Sequence, residues 1–175
     1  VSGKIIGIVI LIASLIAGAG LYYLQVYGFY EEIAADGADV QLVSLSTGMP
    51  ELIPADSFQG IDADSSPIRY RACFTIDLSL ALLTETYVMV EGVTPRNAPG
   101  WFGCFDAAAL GAELAAGTAL TFLGQKNVHF GVDRFVAITD DGRGYSWHDL
   151  NDCGKKAYDG TVVGEVCPAL PEPQN

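Results

Sequence analysis

Charge is what this chain withholds first. Residues 5–30 contain no Asp, Glu, Lys, Arg or His. Basic residues stay scarce beyond that run, with nine Lys and Arg against 21 Asp and Glu in 175 residues. Only Lys4 precedes the apolar run, so the part after Tyr30 holds eight basic and 21 acidic residues, a net charge of −13. A surface of that sign repels phosphates and excludes a nucleic-acid role. It suits solubility or a basic partner. Histidine is rarer still, with two in the chain, and no pair of the four cysteines has CxxC spacing, so no zinc site assembles. There is no G-x-S-x-G elbow, no Gly-rich phosphate loop and no C-x-x-C-H haem attachment. No cofactor or metal is therefore expected, and catalysis is not.

The apolar run itself is informative. Residues 5–24 span 20 positions, and at about 1.5 Å each they make a helix that matches a hydrocarbon core. Ala17-Gly18-Ala19 resembles a signal-peptidase site. A cleaved signal has a shorter apolar core, usually with more than one positive charge ahead of it. Here Lys4 stands alone and the apolar character continues well past Ala19. The expectation is an uncleaved transmembrane helix, with residues 1–4 cytoplasmic under the positive-inside rule and the acidic part across the membrane. Tyr22, Tyr23, Tyr27, Phe29 and Tyr30 would form an aromatic belt at the far interface of the lipid bilayer. Gly3, Gly7, Ser14 and Gly18 fall within roughly 60° of one another on a helix, and Ala13, Ala17 and Gly20 widen that face. Gly and Ala are frequent in membrane helices generally. Small residues at this spacing also let a second helix approach closely, so the stripe is a candidate docking face for another integral membrane subunit.

Beyond the belt and a polar, alanine-rich stalk (residues 25–38), residues 39–167 read as one α+β domain. "DVQLVSLS" alternates as a strand does, and "IRYRACFTI" is a second strand with Arg69, Arg71 and Cys73 on one side of the pleat. Asp77 can cap a short helix, "LSLALLTETY", and Asp106 another, "AAALGAELAA", which Gly117 ends. "ALTFL" and "RFVAIT" read as strands. Asp141-Gly142 then turns the chain into "GYSWH" as a hairpin, and Asp159-Gly160 turns it again. Residues 168–175 form a Pro-rich tail with no core to join. Two short helices against a mainly antiparallel sheet make an α+β fold. Cys73, Cys104, Cys153 and Cys167, an even number beyond an export segment, imply two disulfides in an oxidising compartment. Three pairings are possible. Cys73–Cys104 with Cys153–Cys167 is preferred, because the second closes the turn-rich "CGKKAYDGTVVGEVC".

Few residues look chemical. Asp62, Asp64 and Ser66 in "GIDADSSPIRY" imitate the start of a calcium loop, but Pro67 takes the glycine position and Cys73 that of the bidentate glutamate. A turn capped by Asp and Ser side chains accounts for the stretch. His148 next to Asp149 could be a base with its orienting carboxylate, yet no nucleophile accompanies them. His129 has no partner apparent in sequence. "APGWFGCF" surrounds Cys104 with Trp101, Phe102 and Phe105, which as core would pack a disulfide.

The blocks "GKIIG", "YYLQVYGFYEE", "FQGIDADSSPIRYRACF", "LTETY", "APGWFGCFDAAALG" and "GVDRFVAITDDGRGYSWHDLN" together resemble a family of short single-span proteins. That family is found in Rhodobacter-like and Roseobacter-like Alphaproteobacteria and has no established activity. The likeness runs from Gly3 to about Val166 and implies a bacterial inner-membrane protein with a periplasmic domain. Members are sometimes labelled histidine kinases, but this sequence has no phosphoacceptor His motif and no ATP-binding glycines. The expected function is a non-catalytic accessory subunit of a larger membrane complex, a respiratory or photosynthetic electron-transfer assembly. Its helix would dock on another subunit, and its acidic domain would brace or shield the periplasmic face and steer a basic cytochrome c. The alternative is a membrane-tethered periplasmic assembly or ligand-binding factor.

Overall fold

The computed structural model describes residues 2–34 and 40–170. The apolar run is a helix, α1 (Gly3–Tyr23), continued by one π-helical turn over Leu24–Gly28. Every described side chain of α1 is exposed, and the helix is long and apolar enough to cross a membrane. At the N-terminal side of a disulfide-bonded domain, such a helix is a membrane anchor or an export signal. It starts two residues earlier than the expected 5–24 span and, with its π turn, keeps Tyr27 helical.

The strands that follow are β1 (Glu31–Ile33), β2 (Gln41–Val43), β3 (Pro50–Leu52), β4 (Asp56–Asp62) and β5 (Arg71–Thr75). Two helices come next, α2 (Leu80–Thr86) and α3 (Ala107–Ala116), and then β6 (Ala119–His129), β7 (Val132–Thr139) and β8 (Arg143–Leu150). Six strands form one antiparallel sheet in the order β1-β4-β5-β8-β7-β6, and β2 pairs with β3 apart from it. The fold is α+β, as expected. The stalk needs correction: residues 31–33 are an edge strand, so α1 leads into the sheet after only Phe29 and Tyr30. Residues 35–38 of the expected stalk and Asp39, the first residue of the expected domain, lie outside the described residues, as does 171–175 of the expected tail.

Local chemistry explains most boundaries. Asp106 Oδ1 accepts from the amides of Ala108 and Ala109, both at 3.0 Å, and Gly117 closes α3 in the left-handed conformation. The cap of α2 is Ser79 rather than Asp77, its hydroxyl accepting from Leu82 N at 3.3 Å. The helix starts at Leu80, which leaves Asp77 too far upstream to reach the first-turn amides. The β7–β8 turn uses Gly142 at φ 84°, where a side chain would also strike the carbonyl of Ile76. The outer edge of β6 is covered by residues 88–90 through Leu123 N to Val88 O and Val90 N to Thr121 O, each 2.9 Å.

Both faces of the sheet are buried. On one, Cys73, Phe135, Ala137, Tyr145 and Trp147 pack under α3 and the loop carrying Phe102 and Phe105. On the other, Phe74, Phe122, Val136 and Ile138 pack against Leu83 of α2 and Leu42 of β2. Disulfides join Cys73 to Cys104 and Cys153 to Cys167. The first ties β5 to the loop over its face. The second closes a surface segment.

Candidate functional site at the helix–domain joint

A helix that ends in a π turn leaves main-chain carbonyls without intrahelical donors. Here the domain supplies them. Trp101 donates its indole N–H to Val26 O at 2.6 Å, and Arg69 Nη1 reaches Gln25 O at 3.4 Å. A cation beside helix C-terminal carbonyls also meets the negative end of the macrodipole. Aromatic contacts close around these bonds. Trp101 stacks on Tyr27 with centroids 6.2 Å apart and meets Tyr30 edge-on at 5.7 Å, while Arg69 lies over Tyr30 at 5.4 Å. Tyr23 stacks in turn on Tyr27 at 5.9 Å.

Two loops present these clasping residues, and one buried side chain fixes both. Arg71, 5% exposed on β5, donates from Nη1 to the carbonyls of Ile68 and Tyr70 at 2.9 and 2.6 Å. Its Nε reaches Arg96 O and its Nη2 Asn97 O, both at 2.9 Å. The guanidinium thus pins the loop that carries Arg69 to the loop that carries Trp101. Burial pushes its pKa down to about 10, and it stays charged at neutral pH. Beside Trp101 lies a cavity of about 610 Å³ lined by Glu32, Ile33, Phe58, Ile61, Trp101 and Phe102.

A second cluster sits across the sheet. His148 is 1% exposed, its ring stacked on Tyr70 at 4.4 Å. Nδ1 is 2.8 Å from the Pro67 carbonyl, which can only accept, so Nδ1 carries the proton and Nε2 accepts from Arg134 Nε at 3.0 Å. Burial, reinforced by Arg134, pushes the imidazole down to about 3, and the ring is neutral. Arg134 in turn lies over Tyr70 at 4.3 Å. Outside this layer, Asp62, Asp64, Pro67, His129 and Phe130 line a cleft of about 360 Å³. Burial raises the Asp62 carboxyl above the ordinary range, opposed by the Ala63 amide at 2.7 Å.

Several expected residues land elsewhere. Asp149 leaves the opposite face of β8 and binds Arg96 Nη2 at 2.5 Å, so His148 and Asp149 form no base–carboxylate pair. Alternation along a strand dictates this. Trp101 is not core: it is 38% exposed at the joint, while Phe102 and Phe105 are buried. Arg69 precedes β5 and does not share its pleat with Arg71 and Cys73. The Asp62–Ser66 stretch turns through main-chain bonds, Ser66 N to Ala63 O at 3.1 Å, with Asp62 still in β4. Gly3, Gly7 and Gly18 face open space, Ser14 is exposed, and so are Tyr22 and Tyr23. Tyr27 and Tyr30 belong to the joint. Among the described residues no cluster of three or more His, Cys, Asp or Glu is placed to hold a metal. Sequence reasoning missed Arg71 and the clasp. The available signal was two arginines flanking Tyr70 in a chain so poor in basic residues.

The sequence model of a family of unknown function (DUF6446) matches residues 40–168. The chain belongs to this family. Neither the curated proteins nor the solved structures give a match. The DUF6446 region contains Arg69, Arg71, Trp101 and His148, whereas α1 and β1 precede it. The joint therefore spans the boundary, with its donors inside the family region and its acceptors, Gln25 and Val26, ahead of it.

Proposed function

We propose that the protein is a non-catalytic accessory subunit of a larger membrane complex, retained in the membrane by α1. The observation that carries this reading is the joint. Trp101 and Arg69 hold the domain against the last helical turn, where a freely hinged stalk would let it wander. A subunit that braces a neighbour needs one fixed orientation. In this reading the N-terminus is cytoplasmic and the domain periplasmic, in the inner membrane of a Rhodobacter- or Roseobacter-type bacterium. The Gly3, Gly7, Ser14 and Gly18 face docks on a helix of a respiratory or photosynthetic electron-transfer assembly. The domain's net charge of −13 complements a basic cytochrome c. The state of His148 supports the non-catalytic part, since both ring nitrogens are already bonded.

Mild-detergent extraction of native membranes, followed by sizing and mass spectrometry of co-migrating proteins, tests the proposal. The expected result is migration with at least one other integral membrane protein. Migration as a free monomer overturns it. A second reading, a membrane-tethered ligand-binding factor, is favoured by the cavity beside Trp101 and predicts a monomer that retains a small molecule.

A further inference from the structure

The antiparallel register gives the sheet two distinct ends. Glu31 stands opposite Asp62, Ile61 opposite Arg71, Arg71 opposite Trp147, Val132 opposite Leu150, and His129 opposite Val132. The chain leaving α1 therefore joins the sheet at the end where β4, β8 and β6 finish. The 63–70 loop, the turn at Phe130 and Gly131, and the segment after Leu150 lie at that same end. The opposite end carries the charged turn of Asp140, Asp141 and Arg143.

Large apolar side chains are left in water at the α1 end. Phe130 is 45% exposed at its turn, and Leu150 is 61% exposed. Beyond them the loop closed by Cys153–Cys167 exposes Tyr158 fully and Val166 to 92%. This loop is held in place. Lys156 bridges Val162, Lys126 pairs with Glu165, and Asn151 donates to Asp133 at 2.7 Å. Apolar side chains left exposed at one end of a sheet call for a surface to cover them.

We propose that this end of the sheet rests on the bilayer that α1 enters, with Phe130 and Tyr158 at the headgroup–acyl boundary and Lys155 and Lys156 among the headgroups. The inference rests on the reading of α1 as a retained anchor, because α1 is what brings lipid to this end. Aromatic and aliphatic side chains with Lys155 and Lys156 beside them suit that interface. Of the acidic residues in the same stretch, Glu165 is paired with Lys126, while Asp152 and Asp159 are exposed to water. The clasp of Trp101 and Arg69 on the helix end keeps the surface facing the membrane.

The full chain, reconstituted in vesicles of phosphatidylethanolamine and phosphatidylglycerol with brominated acyl chains, provides the test. Phe130→Trp and Tyr158→Trp are compared with Asp140→Trp at the far end, each as the emission added to that of the native protein. The expected result is that bromine removes most of the added emission at 130 and 158 and little at 140. Equal quenching at the three positions overturns the proposal, as does blue-shifted but unquenched emission at 130 and 158, which signals a protein covering. Release of the chain by an alkaline wash overturns the anchor reading and this inference with it. Retention without quenching overturns this inference alone.

Discussion

The indole N–H of Trp101 donates to the main-chain carbonyl of Val26 across 75 residues of sequence. One residue belongs to the disulfide-bonded domain and the other to the apolar helix, so this bond couples the domain's orientation to that of the helix. Tyr27 stacks on the indole and Tyr30 meets its edge, so two ring contacts hold the donor in place.

Trp101→Phe keeps an aromatic ring in the joint but removes the donor, and Trp101→Ala removes both. A hydrogen bond of this kind contributes about 1 kcal/mol and the ring contacts about 1 kcal/mol more. Amide exchange over residues 28–33 is therefore expected to quicken in Trp101→Phe and further in Trp101→Ala, while the melting temperature of the sheet holds. Hydrogen-exchange mass spectrometry on the detergent-solubilised chain reads this directly. Unchanged protection in Trp101→Ala would show that the clasp does not hold the helix.

Much of the fold was legible because its signals are local. The β7–β8 hairpin was visible in Asp141-Gly142, and α3 in its Asp106 cap and Gly117 stop. The β4 strand was not, because a bulge between Asp56 and Gln59, with Ser57 at φ 53°, breaks the alternation that marks a strand. β1 hid behind the polar look of Glu31 and Glu32. The joint was illegible for a different reason. Arg71 is satisfied by carbonyls at 68, 70, 96 and 97, and Trp101 by one at 26. No local pattern announces partners set that far apart, and a buried arginine without a carboxylate reads in sequence as a surface residue.

His148 makes stability depend on acid. Its folded pKa is about 3, against an ordinary 6.5. Between those values the unfolded chain binds a proton that the folded protein refuses, so this contribution is intact above pH 6.5 and is lost as pH falls toward 3. The slope is about 1.4 kcal/mol per pH unit within that window. His148→Leu is expected to be less stable at pH 7, because it removes the acceptor His148 offers to Arg134 Nε and the donor it offers to the Pro67 carbonyl, yet to lose less stability between pH 6 and pH 4. Urea titrations at both pH values check the difference. Parallel pH profiles would mean that His148 takes up its proton equally in the folded and unfolded states.

The two disulfides should not be equivalent. Cys73–Cys104 closes 31 residues across the core, for which loop entropy alone predicts a loss of about 3–4 kcal/mol on removal. Cys153–Cys167 closes 14 residues of surface segment. Unfolding of that segment exposes little core, so it can open without the sheet. Cys73→Ala/Cys104→Ala is expected to lower the denaturation midpoint of the whole domain. Cys153→Ala/Cys167→Ala is expected to leave it in place and to create protease cleavage between residues 151 and 167. A comparable drop in midpoint for both double variants would show that the second loop is part of the cooperative core.

Phe74 and Gly144 face each other across β5 and β8, and the ring occupies the space a side chain at 144 would need. An added Cβ would lie 2.0 Å from Phe74 Cε2, well inside van der Waals contact. Gly144→Ala must therefore displace a ring that is 3% exposed and packed in the second core layer. Such overpacking costs about 1–3 kcal/mol. Phe74→Leu alone leaves a cavity and costs about 1–2 kcal/mol by its lost burial. Combined, each change relieves the other, because leucine vacates the volume that the alanine methyl enters. The double variant is thus expected to be more stable than the sum of the single losses by at least about 1 kcal/mol, a coupling that neighbours in contact can show. Chemical denaturation of the four proteins completes the cycle. Strict additivity would mean that the backbone of β8, rather than the ring of Phe74, absorbs the methyl group.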